Sequence, residues 1–221
     1  MRKWILALVL GILSISVTAL ADTAQLTFEG TGGTNYGGFY VYPYNVSVNG
    51  SSSTVPMVCD TFPYEIANGE SWTATANSVY NVSGTLFGNS SSPLYQANAA
   101  TLYQQAAWLF LQLSTNPSAA IGINYAIWDL LTPGSPTYPG SGSDHSSAYW
   151  IAQAQGQTFT SGEFNGVALY TPVAGTATGY PSGYPTPQEF IGTAPVPEPG
   201  TLALLGSGLV GLAGLIRKRL K

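Results

Sequence analysis

The sequence predicts a mixed, β-rich domain with a helical insert of two to three helices, set between two membrane-directed ends. Three observations predict it. Short alternating runs rich in Val, Tyr, Phe and Thr, separated by glycine clusters, fill the first third of the chain. Apolar residues at helical spacing fill the middle. All six basic residues, Arg2, Lys3, Arg217, Lys218, Arg219 and Lys221, lie at the two ends of the 221-residue chain.

The N-terminal segment runs Met1-Arg2-Lys3, then an apolar stretch from Trp4 to Ala19, then Ala19-Leu20-Ala21. A short basic start, a hydrophobic core and an A-x-A site predict a secretory signal peptide over 1–21. Ala19 and Ala21 form the signal peptidase site, and cleavage after Ala21 leaves Asp22 as the first residue. Signal peptidase is therefore an expected partner during export.

Residues 22–173 are the expected extracellular domain. Gln25–Phe28 alternates. Gly37–Tyr44 is aromatic and β-branched. Val46–Val48 ends at Asn49-Gly50, a turn pair. Thr54–Cys59 and Ser71–Ala76 complete the early strands, and Gly166–Val173 is the last. The helical segment covers 93–155. Leu102, Ala106, Leu109 and Leu113 share one helix face after Pro93, with Ser92 as the cap. Asn116-Pro117 breaks the pattern, and a second helix runs to Leu131 before Thr132-Pro133-Gly134. A third spans about Ser147 to Gln155, capped by Asp144 or Ser146. Trp108 and Trp128 are expected in the core. Residues 174–195, rich in Gly, Pro, Thr and Tyr, read as a linker.

The composition excludes several classes. Only 7% of residues are charged, ten of them acidic, and no Lys or Arg lies between residues 4 and 216. Such a body cannot neutralise nucleic-acid phosphates, nor clamp anionic substrates with Arg or Lys. One His and one Cys are too few for a zinc site, and no EF-hand loop is present. No cofactor or metal is expected. Asn45, Asn81 and Asn89 head N-x-S triplets, which arise by chance in so Asn/Ser-rich a chain.

The C-terminal segment 196–221 has three parts. Val196-Pro197-Glu198-Pro199 is rigid and excludes helix. Gly200–Ile216 is apolar and sits at the lower length limit for a single transmembrane helix. Arg217, Lys218, Arg219 and Lys221 form a basic stop-transfer cluster, retained on the cytoplasmic side. This order of motif, span and basic end resembles the PEP-CTERM sorting signal of Gram-negative, exopolysaccharide-producing bacteria. The same tail is also labelled an ice-binding protein C-terminal motif, a label that describes the tail alone. The resemblance implies recognition of Val196, Pro197, Glu198 and Pro199 by an exosortase. It implies an inner-membrane intermediate held by the C-terminal helix, then delivery to the cell surface or extracellular matrix. There a structural or adhesive, non-enzymatic role among exopolysaccharide or biofilm is expected.

Cys59 is the only cysteine, so it has no intramolecular disulfide partner. As a residue it reads as a small buried hydrophobe. Val58-Cys59-Asp60-Thr61-Phe62, followed far downstream by Asn124-Tyr125-Ala126-Ile127-Trp128, distantly resembles the thioester domains of bacterial surface adhesins. That resemblance implies a Cys59–Asn124 crosslink, although Asn124 stands where those domains carry glutamine. A third reading, a secreted Cys hydrolase, would combine Cys59, His145 and one of Asp60, Asp129 or Asp144.

Overall fold

A computed structural model describes residues 22–62, 64–142, 144–179 and 187–194, together with Gly206, Gly208 and Leu209. The signal peptide, with Ala19 and Ala21, lies outside the described residues. So do Val196, Pro197, Glu198, Pro199, Arg217, Lys218, Arg219 and Lys221. Most of the expected span over 200–216 is outside them too. Among the described residues, no helix is long and apolar enough to cross a membrane.

The body is β-rich, with a closed sheet of six strands and three α-helices. The strands are β1 (Asp22–Thr31), β2 (Asn35–Tyr36), β3 (Phe39–Tyr40), β4 (Tyr44–Val48), β5 (Thr54–Cys59), β6 (Ser71–Ser78), β7 (Val167–Pro172) and β8 (Phe190–Thr193). The helices are α1 (Pro93–Thr115), α2 (Ala120–Leu131) and α3 (Ser147–Gln155). The barrel order is β1-β4-β5-β8-β7-β6, and every pairing is antiparallel. Closure leaves this sheet no free edge. β2 and β3 form a separate two-stranded hairpin.

Strand alternation sorts the side chains into two cores. Leu26, Val46, Met57, Cys59, Trp72, Ala74, Tyr170 and Phe190 pack together within the barrel. From the intervening positions, Val58, Val167, Leu169 and Ile191 pack outward against the helices. The strands β5, β7 and β8 are therefore covered on both faces, while the remainder of the barrel has one polar face. The helices meet that outer layer through Tyr103, Ala106, Leu109 and Leu113 of α1, Ile123 and Ile127 of α2, and Trp150 of α3.

The turns follow from local chemistry. Asn49 and Gly50 take positive φ of 54° and 70° in the β-turn closed by the Ser51 N–H to the Val48 carbonyl, which opens the five-residue link from β4 to β5. Ser146 caps α3, its hydroxyl accepting the Tyr149 N–H at 3.2 Å. Ser92 occupies the N-cap of α1 with Pro93 following, but its hydroxyl makes no capping bond.

Three expectations need correction. The segment 174–195 is not simply a linker: Gln188 and Glu189 are buried, and β8 closes the barrel between β5 and β7. That strand is held between β7 and β5, the latter more than a hundred positions away, and no local composition reveals that pairing. The aromatic run 37–44 is not one strand. It holds the turn and second strand of the β2–β3 hairpin, then reaches β4 through a cis Tyr42–Pro43 peptide. Trp128 is buried in a separate small cluster with Val41, Tyr125 and Tyr138, whereas Trp108 is only half-buried, against the helical layer.

Candidate functional site

Two features meet where β5 and the approach to β8 face α2. One is a buried polar cluster around Cys59. The other is an aromatic cleft beside it, and Trp128 of α2 belongs to both.

Cys59 ends β5 and is fully buried. Its Sγ donates to the Thr61 carbonyl oxygen and accepts the Thr61 N–H, each at 3.4 Å. Burial pushes the thiol strongly upward, and the neighbouring Asp60 adds to the shift. The Thr61 backbone and the Trp128 indole only partly oppose it. The side chain is a thiol at neutral pH, the inert form for attack on a carbonyl carbon.

Asn124 of α2 lies beside the end of β5 that carries Cys59. The contact is a hydrogen bond to the backbone: Asn124 Nδ2 donates to the Cys59 carbonyl oxygen at 3.3 Å. Its Oδ1 accepts the Tyr42 N–H at 2.8 Å. One buried amide thus ties β5, the segment before β4, and α2 together. Both of its functional ends are engaged.

Beside them lie two fully buried carboxyls, Asp60 and Glu189. Glu189 accepts the Leu86 N–H at 2.9 Å and the hydroxyls of Tyr103 and Thr171. Asp60 Oδ1 accepts the Thr61 hydroxyl at 2.8 Å, and its Oδ2 has no partner among the described residues. The backbones also interlock. Asp60 N–H donates to the Glu189 carbonyl and Glu189 N–H to Thr61 Oγ1, both at 3.2 Å. Burial raises both acids, and the charge of Glu189 raises Asp60 further. Glu189, with three donors, is the better-stabilised carboxylate. Of the two, Asp60 is the one whose charged form is the more disfavoured.

The hydrolase candidates fall into two groups. Asp60 adjoins Cys59. Asp144 and His145 lie in the loop before α3, where the His145 ring sits 4.1 Å from Tyr149 and 6.4 Å from Trp150. Asp129 is half-buried on α2. Among the described residues, no imidazole adjoins the thiol. Nor is any group of three or more His, Cys, Asp or Glu placed to hold a metal ion.

The cleft has a volume of about 780 Å³. One wall comes from the β2–β3 hairpin, which can turn in two residues because Gly37 and Gly38 take φ of 61° and 89°. That turn presents Phe39 and Tyr40. Phe62, Tyr64 and Trp128 line the cleft beside them. The rings hold one another in edge-to-face and tilted contacts. Phe39 and Phe62 are 5.0 Å apart, and Phe62 and Trp128 are 5.3 Å apart. Tyr125 anchors the hairpin from below, its hydroxyl donating to the Tyr36 carbonyl at 2.7 Å. Tyr40 remains 57% exposed, Phe39 39% and Tyr64 37%, so the rings form the rim of an open site. Glu65, Asn68 and Gln188 supply its polar wall.

Sequence reasoning missed Glu189, Gln188 and this grouping of aromatics. The available signal was small: Glu189-Phe190-Ile191 sets an acid and two large apolar residues inside an otherwise Gly/Pro/Thr stretch.

The class of the molecule follows from its tail: a protein exported and then processed at the membrane through a C-terminal sorting sequence. The family model of the PEP-CTERM protein-sorting motif matches residues 195–219. The chain carries that motif, and with it the assignment as an exported exosortase substrate. The match begins two residues after β8 ends at Thr193. Comparison with curated proteins gave no match, and comparison with solved structures gave none either.

Proposed function

We propose that the processed protein serves a structural or adhesive role at the cell surface or in the extracellular matrix of a Gram-negative bacterium, among exopolysaccharide. The observation that carries this reading is the sorting motif joined to a body with no cation and an open, aromatic-rimmed cleft. The body acts by binding rather than by turnover. Its one thiol is buried and hydrogen-bonded to Thr61, and the neighbouring Asp60 and Glu189 are shut off from solvent. The contact between Cys59 and Asn124 keeps a thioester-type adhesin as the second reading. The amide's bonds to two backbone groups favour the noncovalent role.

The test is fractionation of producing cells with and without their exosortase. The reading predicts that the protein reaches the surface or medium in shortened form only when the exosortase is present. Equal release and equal length in both strains would overturn it.

A further inference from the structure

From the chemistry of the cleft between the β2–β3 hairpin and α2, we infer that it binds a neutral glycan chain through ring stacking and hydroxyl hydrogen bonds. This deepens the matrix reading above and rests on it for where such a glycan is met.

The volume, about 780 Å³, falls within the roughly 300–1,000 Å³ of small-ligand sites. The wall composition then selects the ligand. Phe39, Tyr40 and Tyr64 leave part of their ring faces in water, where covering them with a ligand is favourable. Phe39 is held there by Phe62, itself packed on Trp128, and the hairpin that carries Phe39 and Tyr40 is fixed by the Tyr125 anchor, which lowers the ordering cost of binding.

Charge excludes the anionic candidates. No Lys or Arg lies between residues 4 and 216, and Glu65 stands on the wall. A phosphate, a sulfate or a uronic acid polymer would lose its hydration, meet no cation to compensate, and face the like charge of Glu65. Purely apolar ligands fail for the opposite reason. A lipid tail or an apolar peptide face would desolvate the exposed Glu65 and Asn68 without pairing them. A neutral sugar satisfies both sides. Its C–H face covers aromatic rings, and its hydroxyls donate to carboxylate and amide oxygens.

The experiment is calorimetric titration of the processed protein, purified from producing cells, with neutral hexasaccharides of glucose, galactose and mannose, and with a galacturonic acid hexamer. Saturable binding of at least one neutral hexamer is expected, together with a clear preference over the uronate. Tyr40→Ala and Tyr64→Ala should each weaken binding about fivefold or more, from loss of about 1 kcal/mol of ring contact. Tyr149→Ala, an exposed tyrosine on α3, should leave it unchanged. Circular dichroism checks that each variant is folded. The inference is overturned if none of the three neutral hexamers binds, if the uronate binds as tightly, or if both cleft variants bind like the parent. Failure here would leave export and sorting to the exosortase experiment, which reads a different quantity.

Discussion

Asn124 Nδ2 donates to the Cys59 carbonyl oxygen across 3.3 Å, while Asn124 Oδ1 takes the Tyr42 N–H. The two residues are thus coupled through the amide and the backbone, and the sulfur bonds elsewhere, to Thr61. The variants of the two should therefore differ.

Asn124→Ala leaves two buried backbone groups unpaired and should cost about 2–4 kcal/mol. Cys59→Ala removes a small buried group and should cost about 1–2 kcal/mol. For a domain of this size the first corresponds to a fall in melting temperature of about 4–16 °C. Thermal unfolding of both variants checks the order. Equal, large losses and a parent mass short by one ammonia would instead indicate a covalent bond between them.

The acid pair sets an unusual pH dependence. Asp60 has its pKa raised, so the folded chain keeps a proton that the unfolded chain has released. Stability is then greatest below the unfolded carboxyl pKa, about 4. It falls as pH rises from there through the folded value. Glu189, Glu70 and Asp144 are shifted in the same direction, chiefly by burial. Denaturant unfolding should show the parent losing stability from pH 4 to 7. Asp60→Asn, which keeps a neutral group facing Glu189, should flatten that slope. A parent that instead gains stability over this interval would contradict the protonated-pair account.

Gly122 shows a close approach that helix propensity cannot report. A Cβ at this position would stand 2.1 Å from the His145 carbonyl oxygen and 2.9 Å from Asp144 Oδ1. In an open helix Gly→Ala gains about 1 kcal/mol. Here Gly122→Ala should lose about 1–3 kcal/mol by overpacking, with the loop before α3 displaced. Chemical denaturation decides the sign.

Much of the fold was legible because its signals are local. The helix from Pro93, the stop at Asn116-Pro117 and the Ser146 cap all act within one turn of chain. Cys59 was legible as a buried strand residue because a lone cysteine at the end of an apolar, β-branched run behaves as a small hydrophobe. β8 was not, because four residues containing a glycine carry no periodicity. They are strand only because β5 and β7 flank them. The cleft was illegible for a related reason. The sequence contains Phe39, Tyr40, Phe62, Tyr64 and Trp128, but nothing in it tells which aromatics turn inward and which line a rim. That division follows from the barrel's closure and from the Gly37-Gly38 turn.

The short distance between β8 and the sorting motif shapes processing. With β8 ending at Thr193 and the match beginning at 195, a cut around Pro197–Pro199 leaves only a few residues beyond the barrel. Deleting 190–194 should therefore abolish folding and recovery of the processed protein, rather than merely shorten a tether. Inserting a flexible Gly/Ser segment after Ala194 should be tolerated. Protease resistance of the two variants checks this.

The intact mass of the protein recovered from the surface or medium of producing cells tests the central claim most directly. The account predicts a chain that begins at Asp22, ends at or near Pro197–Pro199, and has lost no ammonia. A mass that still includes residues 200–221 would contradict sorting by an exosortase.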